Sequence, residues 1–113
     1  MDTLASSADI APSIAAMRIA AGEASAVLSA LANPDRLLLL CQLSQGEQAV
    51  GELEQSLDIH QPTLSQQLGV LRNQSLVNTR RDGKRIFYSI ADARLLTLLT
   101  TLYDLYCPKK ETP

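Results

Sequence analysis

Cys41 and Cys107 are the only thiols in the chain and stand far apart in sequence, so neither a Cys-x-x-Cys redox pair nor a zinc-finger spacing is present. Cys41 continues the run Leu37-Leu38-Leu39-Leu40, where a free thiol can serve as a small hydrophobe. Cys107 precedes Pro108, Lys109 and Lys110, where packing offers no reason for a thiol, and is therefore expected to be accessible. An apolar surround raises the pKa of Cys41. A helix C-terminus acts in the same direction on Cys107, against Lys109 and Lys110. Neither is expected to be a strongly activated thiolate, which slows attack by peroxide and favours an electrophilic sulfur donor.

A second set of residues suits a DNA groove. Gln61, Thr63, Ser65, Gln66 and Gly69 are small or amide-bearing and free of carboxylates, so they can reach base edges and phosphates without repulsion. Shortly after come Arg72, Arg80, Arg81, Lys84 and Arg85, opposed only by Asp82, a local surface that should attract phosphates. The remaining candidates are weaker. His60 has no neighbouring Cys or His and reads as a turn residue, Asp104 and Cys107 alone make a poor metal site, and Glu52 and Glu54 point to different helix faces. No metal and no cofactor are expected.

The elements that must position these groups follow from periodicity. Ile14, Met17, Ala20, Ala21, Ala24, Val27, Leu28 and Leu31 have helical spacing. Asn33-Pro34 caps and starts a second helix to about Leu43, whose run of leucines predicts extensive burial. A third, of about nine residues, spans Val50, Leu53 and Leu57, with Ala49 standing where a better cap residue is wanted. After a turn at Asp58 to Pro62, Leu64, Leu68 and Leu71 mark a fourth, and the two short helices read as a helix-turn-helix. Leu76 to Thr79 and Arg85 to Ile90 flank a basic tip, Arg80 to Lys84, with its turn at Asp82-Gly83, and form a hairpin wing. Leu95 to Tyr106 form a last helix too apolar to be covered by so small a domain. The expected fold is mostly α with a β-hairpin wing, a winged helix-turn-helix. Its domain covers 13–107 between a disordered tail, 1–12, and a polar tail, 108–113. Helices 13–32 and 93–107 carry the excess apolar surface and are expected to make a homodimer.

The 113 residues weigh 12.2 kDa and suit one small domain. Net charge is −2, which argues against coating nucleic acid by bulk charge, yet the acidic excess lies before residue 61 and the basic excess after it. The longest uninterrupted apolar run, Leu37 to Cys41, is far below the roughly 20 residues of a membrane span, and Met1 to Ile10 lack a basic n-region. A cytoplasmic protein without membrane contact is expected. Four aromatic residues disfavour a stacking platform for single strands, and without a βαβ unit a thiol oxidoreductase, the enzymatic alternative, is disfavoured.

Asn33-Pro34-Asp35-Arg36, Gly51-Glu52-Leu53, the stretch Gln61 to Leu68 and Arg80-Arg81-Asp82-Gly83-Lys84, in that order, resemble the ArsR/SmtB family of winged-helix repressors over about residues 24 to 107. The stretch Val50 to Gln55 with cysteines at 41 and 107 is most similar to the BigR/SqrR group, thiol-based sensors of persulfides and polysulfides. The resemblance implies contact with double-stranded operator DNA through Gln61, Thr63, Ser65 and Gln66 and through wing residues Arg81, Lys84 and Arg85. Pro62 stands where the family usually has serine. The Cys-x-Cys of metal-sensing members is replaced by Glu52-Leu53-Glu54. By the same resemblance, reactive sulfur species are the inducer, and a bridge between Cys41 and Cys107 releases DNA. A metal-responsive or a general peroxide- or disulfide-responsive repressor of the same family is the alternative.

Overall fold

The computed structural model describes residues 13–108, so the tail expected at 1–12 and all but Pro108 of the tail expected at 108–113 lie outside the described residues. Helix α1 spans Ile14–Leu31, and the Ser13 hydroxyl accepts the Ala16 N–H at 3.1 Å to cap it. Only Ala30 and Leu31 of this helix are buried, while Ile14, Met17, Ile19 and Leu28 are exposed. The helix is long and apolar enough to cross a membrane, a property hidden from a count of uninterrupted apolar residues because charges are interspersed. Those charges, Arg18 and Glu23, are of the kind that each oppose insertion by about 2.5–3.5 kcal/mol near a helix centre.

Helix α2, Pro34–Leu43, starts where Asn33 Oδ1 accepts the Arg36 N–H at 3.1 Å, with Pro34 in a position that needs no N–H donor. Arg36 then ties three elements. Its Nε donates to the Ala30 carbonyl at 2.8 Å, Nη2 to the Ser29 carbonyl at 3.3 Å and Nη1 to Gln67 Oε1 at 2.9 Å. A fixed cation thus meets the last carbonyls and negative end of α1. Leu39, Leu40 and Leu43 are buried, but Leu38 is 48% exposed, so the leucine run is not covered all round. Leu38 lies on the narrow face of α2 that the surrounding elements leave open.

A short strand β1, Gln48–Ala49, was not legible as such; it exists because β3 pairs with it. Helix α3, Val50–Leu57, has a better start than Ala49 suggests, since Glu52 reaches back and accepts the Ala49 N–H at 2.8 Å. Helix α4 spans Thr63–Asn73 and buries Leu64, Leu68 and Leu71. Strands β2, Val77–Asp82, and β3, Arg85–Ile90, form an antiparallel hairpin registered from Val77↔Ile90 to Asp82↔Arg85, and the sheet order is β1-β3-β2. The strands run further than their apolar residues imply: Arg80, Arg81 and Asp82 belong to β2, and the turn is Gly83-Lys84 rather than Asp82-Gly83. Gly83 has φ +64°, which glycine adopts without steric cost.

Helix α5, Ala93–Tyr106, is capped by Asp92, whose Oδ1 accepts the Arg94 N–H at 2.8 Å. Leu95 and Leu99 are buried; Tyr103, Leu105 and Tyr106 are exposed. One core joins α2, α4 and α5 to Leu53, Ile59, Leu76, Val77 and Tyr88, with α2 touching α1, α3, α4, β3 and α5. The result is a winged helix-turn-helix, mostly helical with a small antiparallel sheet.

Candidate dithiol site and nucleic-acid interface

Cys41 lies on the last turn of α2, half-buried against the core beside Leu37. Cys107 is the C-cap of α5, exposed, its N–H donating to the Tyr103 carbonyl at 2.9 Å. Both thiols are free. The two cysteines, distant in sequence, thus sit on two helices that pack against each other. Burial pushes the Cys41 thiol above its ordinary pKa, and the nearby Cys107 thiolate adds to that by repulsion. The folded state therefore favours protonated Cys41, and this contribution to stability fades as pH rises past the ordinary thiol range near 8.5.

Reactivity follows the same sign. Alkylation of Cys41 by iodoacetamide is expected to lag behind that of a free thiol at pH 8 and to keep accelerating above pH 9. In Cys107→Ser the lag should shorten only slightly, because burial is the larger cause. Peptide mapping after timed quenching reads both rates. A Cys41 rate equal to that of a free thiol would contradict the assignment.

The groove-facing set is divided by the structure. Ser65 and Gln66 are exposed on α4 and Thr63 is half-buried at its start. Gln61 is not on the helix; it precedes it, and its Oε1 accepts the Ser65 N–H at 3.1 Å, leaving the side-chain amide N–H₂ outward. Gln61 thus replaces the cap that Pro62 cannot supply. Gln67 is turned inward to Arg36. His60 Nε2 lies 2.6 Å from Asp58 Oδ1 and Nδ1 lies 3.4 Å from Glu54 Oε2, and these carboxylates raise its pKa. Among the described residues no set of three or more His, Cys, Asp or Glu side chains is placed to hold a metal ion.

Arg81, Lys84 and Arg85 are exposed on the wing. A concavity of about 710 Å³ opens between α3, α4 and the wing, walled by Gly51, Gln55, Ser65, Arg72, Lys84 and Arg85. Arg72 belongs to this surface although the groove-facing set stopped at Gly69; its place seven residues after Ser65, two helical turns on, was the available signal.

Residues 33–79 match the family model for bacterial regulatory proteins of the arsR type. The chain is 52% identical over 96 residues to the biofilm growth-associated repressor of Agrobacterium fabrum, covering 85% of this chain and 82% of the relative. The chain belongs to the arsR family. Among solved structures, the transcriptional repressor BigR from Xylella fastidiosa superposes with a TM-score of 0.79 at 46% identity, covering 87% of this chain and 100% of that one. Reduced HlyU from Vibrio cholerae matches at 38% identity with a TM-score of 0.78, covering 81% and 97%. This arsR-family chain is accordingly a DNA-binding transcriptional regulator with a winged helix-turn-helix fold, not an enzyme.

Proposed function

We propose that the protein is a cytoplasmic homodimeric repressor that holds operator DNA while Cys41 and Cys107 are reduced and releases it when reactive sulfur species bridge them. The observation that carries this reading is the placement of an accessible thiol, Cys107, within electrostatic reach of a half-buried one, Cys41, on two helices packed together. That relatives are named as repressors, and that one was solved in a form called reduced, agrees with it.

The chemistry balances in two exchanges. The Cys107 thiolate attacks an inner sulfur of a polysulfide, forming one S–S bond while breaking another and expelling a shorter hydropolysulfide. Cys41 then attacks the attached sulfur chain, closes the bridge and expels sulfide. The two thiols lose two electrons and two protons, and the donor is reduced by the same two electrons. A direct disulfide requires Cβ atoms about 3.5–4.5 Å apart, whereas a bridge with added sulfur spans more. Thiols held further apart than a direct disulfide allows would select a polysulfide over peroxide.

The exposed apolar residues of α1 and α5 supply the dimer contact, and a two-fold axis presents two copies of α4 to successive major grooves, about 34 Å apart. Gln61, Thr63, Ser65 and Gln66 face bases and phosphates there, with Arg81, Lys84 and Arg85 on the flanking backbone. The bridge ties α2 to α5 and alters the spacing of the two reading helices. Intact mass of reduced protein after polysulfide, peroxide or a disulfide donor tests the sensor. One intramolecular crosslink retaining extra sulfur after polysulfide alone is expected; equal crosslinking by peroxide would replace sulfur sensing with general thiol oxidation.

A further inference from the structure

Arg80 and Arg81 are adjacent in sequence and identical in charge, yet strand alternation sends them to opposite faces of the sheet. Arg81 pairs with Ile86 and shares its face with Ile86 and Tyr88, which line the concavity beside α4. Arg80 pairs with Phe87, on the other face. There its guanidinium lies 4.5 Å from the Phe87 ring centroid, and that of Arg85 lies 4.9 Å from the same ring. Glu47, two residues before Ala49, which also pairs with Phe87, receives Arg80 as a fork: Nε to Oε2 at 3.0 Å and Nη2 to Oε1 at 2.7 Å. Glu52 approaches Arg85 at 3.7 Å.

We propose that Glu47 and Arg80 are positioning residues that brace the wing across Phe87, while Arg81, Lys84 and Arg85 make its phosphate contacts. A two-stranded hairpin alone is marginally stable, and β1 contributes only two residues to the sheet. The fork reaches from the residue before β1, over β3, to β2, and so holds the hairpin from both edges. A lone exposed ion pair contributes little, but two parallel hydrogen bonds and a ring beneath the guanidinium fix this one in direction. An acidic residue beside a DNA-binding surface is thereby explained: its charge is spent on Arg80.

The proposal rests on DNA binding by the wing and makes a prediction of opposite sign to simple charge counting. If Glu47 merely repels phosphate, Glu47→Ala tightens binding. If it braces the wing, Glu47→Ala weakens binding about fivefold, equivalent to about 1 kcal/mol, with the salt slope unchanged. Arg80→Ala should weaken binding similarly, and the exchanged pair Glu47→Arg with Arg80→Glu should recover most of it. Arg81→Ala instead lowers the slope of log K against log salt by about 0.9, one phosphate contact. The probe is a mixed-sequence 30-base-pair duplex titrated with full-length protein by fluorescence anisotropy.

Hydrogen exchange on DNA-free protein gives an independent reading: Glu47→Ala should speed exchange in β2 and β3 while α2 and α4 stay protected. Tighter binding by Glu47→Ala, a slope lost with Arg80, or unchanged exchange would each overturn the assignment. Failure of the wild-type protein to bind the duplex would strike at the wing reading itself, and the exchange result would still decide the brace.

Discussion

Replacing Leu40 by alanine is expected to lower the unfolding free energy by about 2.7–5 kcal/mol, seen as a fall in Tm of more than about 10 °C in thermal unfolding followed by circular dichroism. Leu40 is fully buried on the helix that touches α1, α3, α4, β3 and α5, so a cavity there has no mobile neighbour to fill it. A chain of this size has an unfolding free energy of only about 6–17 kcal/mol at 0.05–0.15 kcal/mol per residue, so the change removes a large share. Leu38→Ala, on the same helix and chemically identical, is the control. With Leu38 48% exposed, it should cost well under half as much. Equal effects at the two positions would mean that Leu38 is covered in solution, and a concentration-dependent Tm in wild type would point to a second copy as the cover.

Cys107→Ser should bind the upstream DNA of its own gene as tightly as wild type when both are reduced, and should keep that affinity after polysulfide treatment, while the wild type weakens by about 5- to 150-fold. Cys107 is exposed at a helix cap, so its replacement disturbs no packing. Cys41→Ser should give the same loss of response, with a lower Tm because a hydroxyl replaces a half-buried thiol against the core. Electrophoretic mobility shift before and after treatment, with reductant to restore binding, reads the outcome. Release by Cys107→Ser would remove the dithiol from the mechanism. Retention by both variants and release by wild type would tie the loss of affinity to the bridge.

Much of this architecture was legible because it is set locally. The Asn33-Pro34 start, the periodic leucines of α4 and the glycine at the wing turn each act within about one helical turn or one hairpin of themselves, and each stands in the structure where the pattern placed it. Chemical type carried the rest of the early reading. A helix face without carboxylates and a cationic hairpin raise the expectation of DNA contact without a single distance, and the arsR family model matches residues 33–79, ending just before the basic tip.

Tertiary structure decided what depends on residues far apart in sequence. Strand β1 exists only because β3 passes beside it, and Gln61 became a helix cap because the turn delivers its side-chain oxygen to the Ser65 N–H. Arg36, one cation among ten by sequence, joins α1, α2 and α4 because a guanidinium can serve three acceptors that only packing brings together. Composition and spacing established that this chain has two thiols and a basic wing. Packing of α2 on α5 placed Cys41 near Cys107, and the pleat of the sheet separated Arg81 from Arg80, since a strand turns successive side chains to opposite faces whatever their charge.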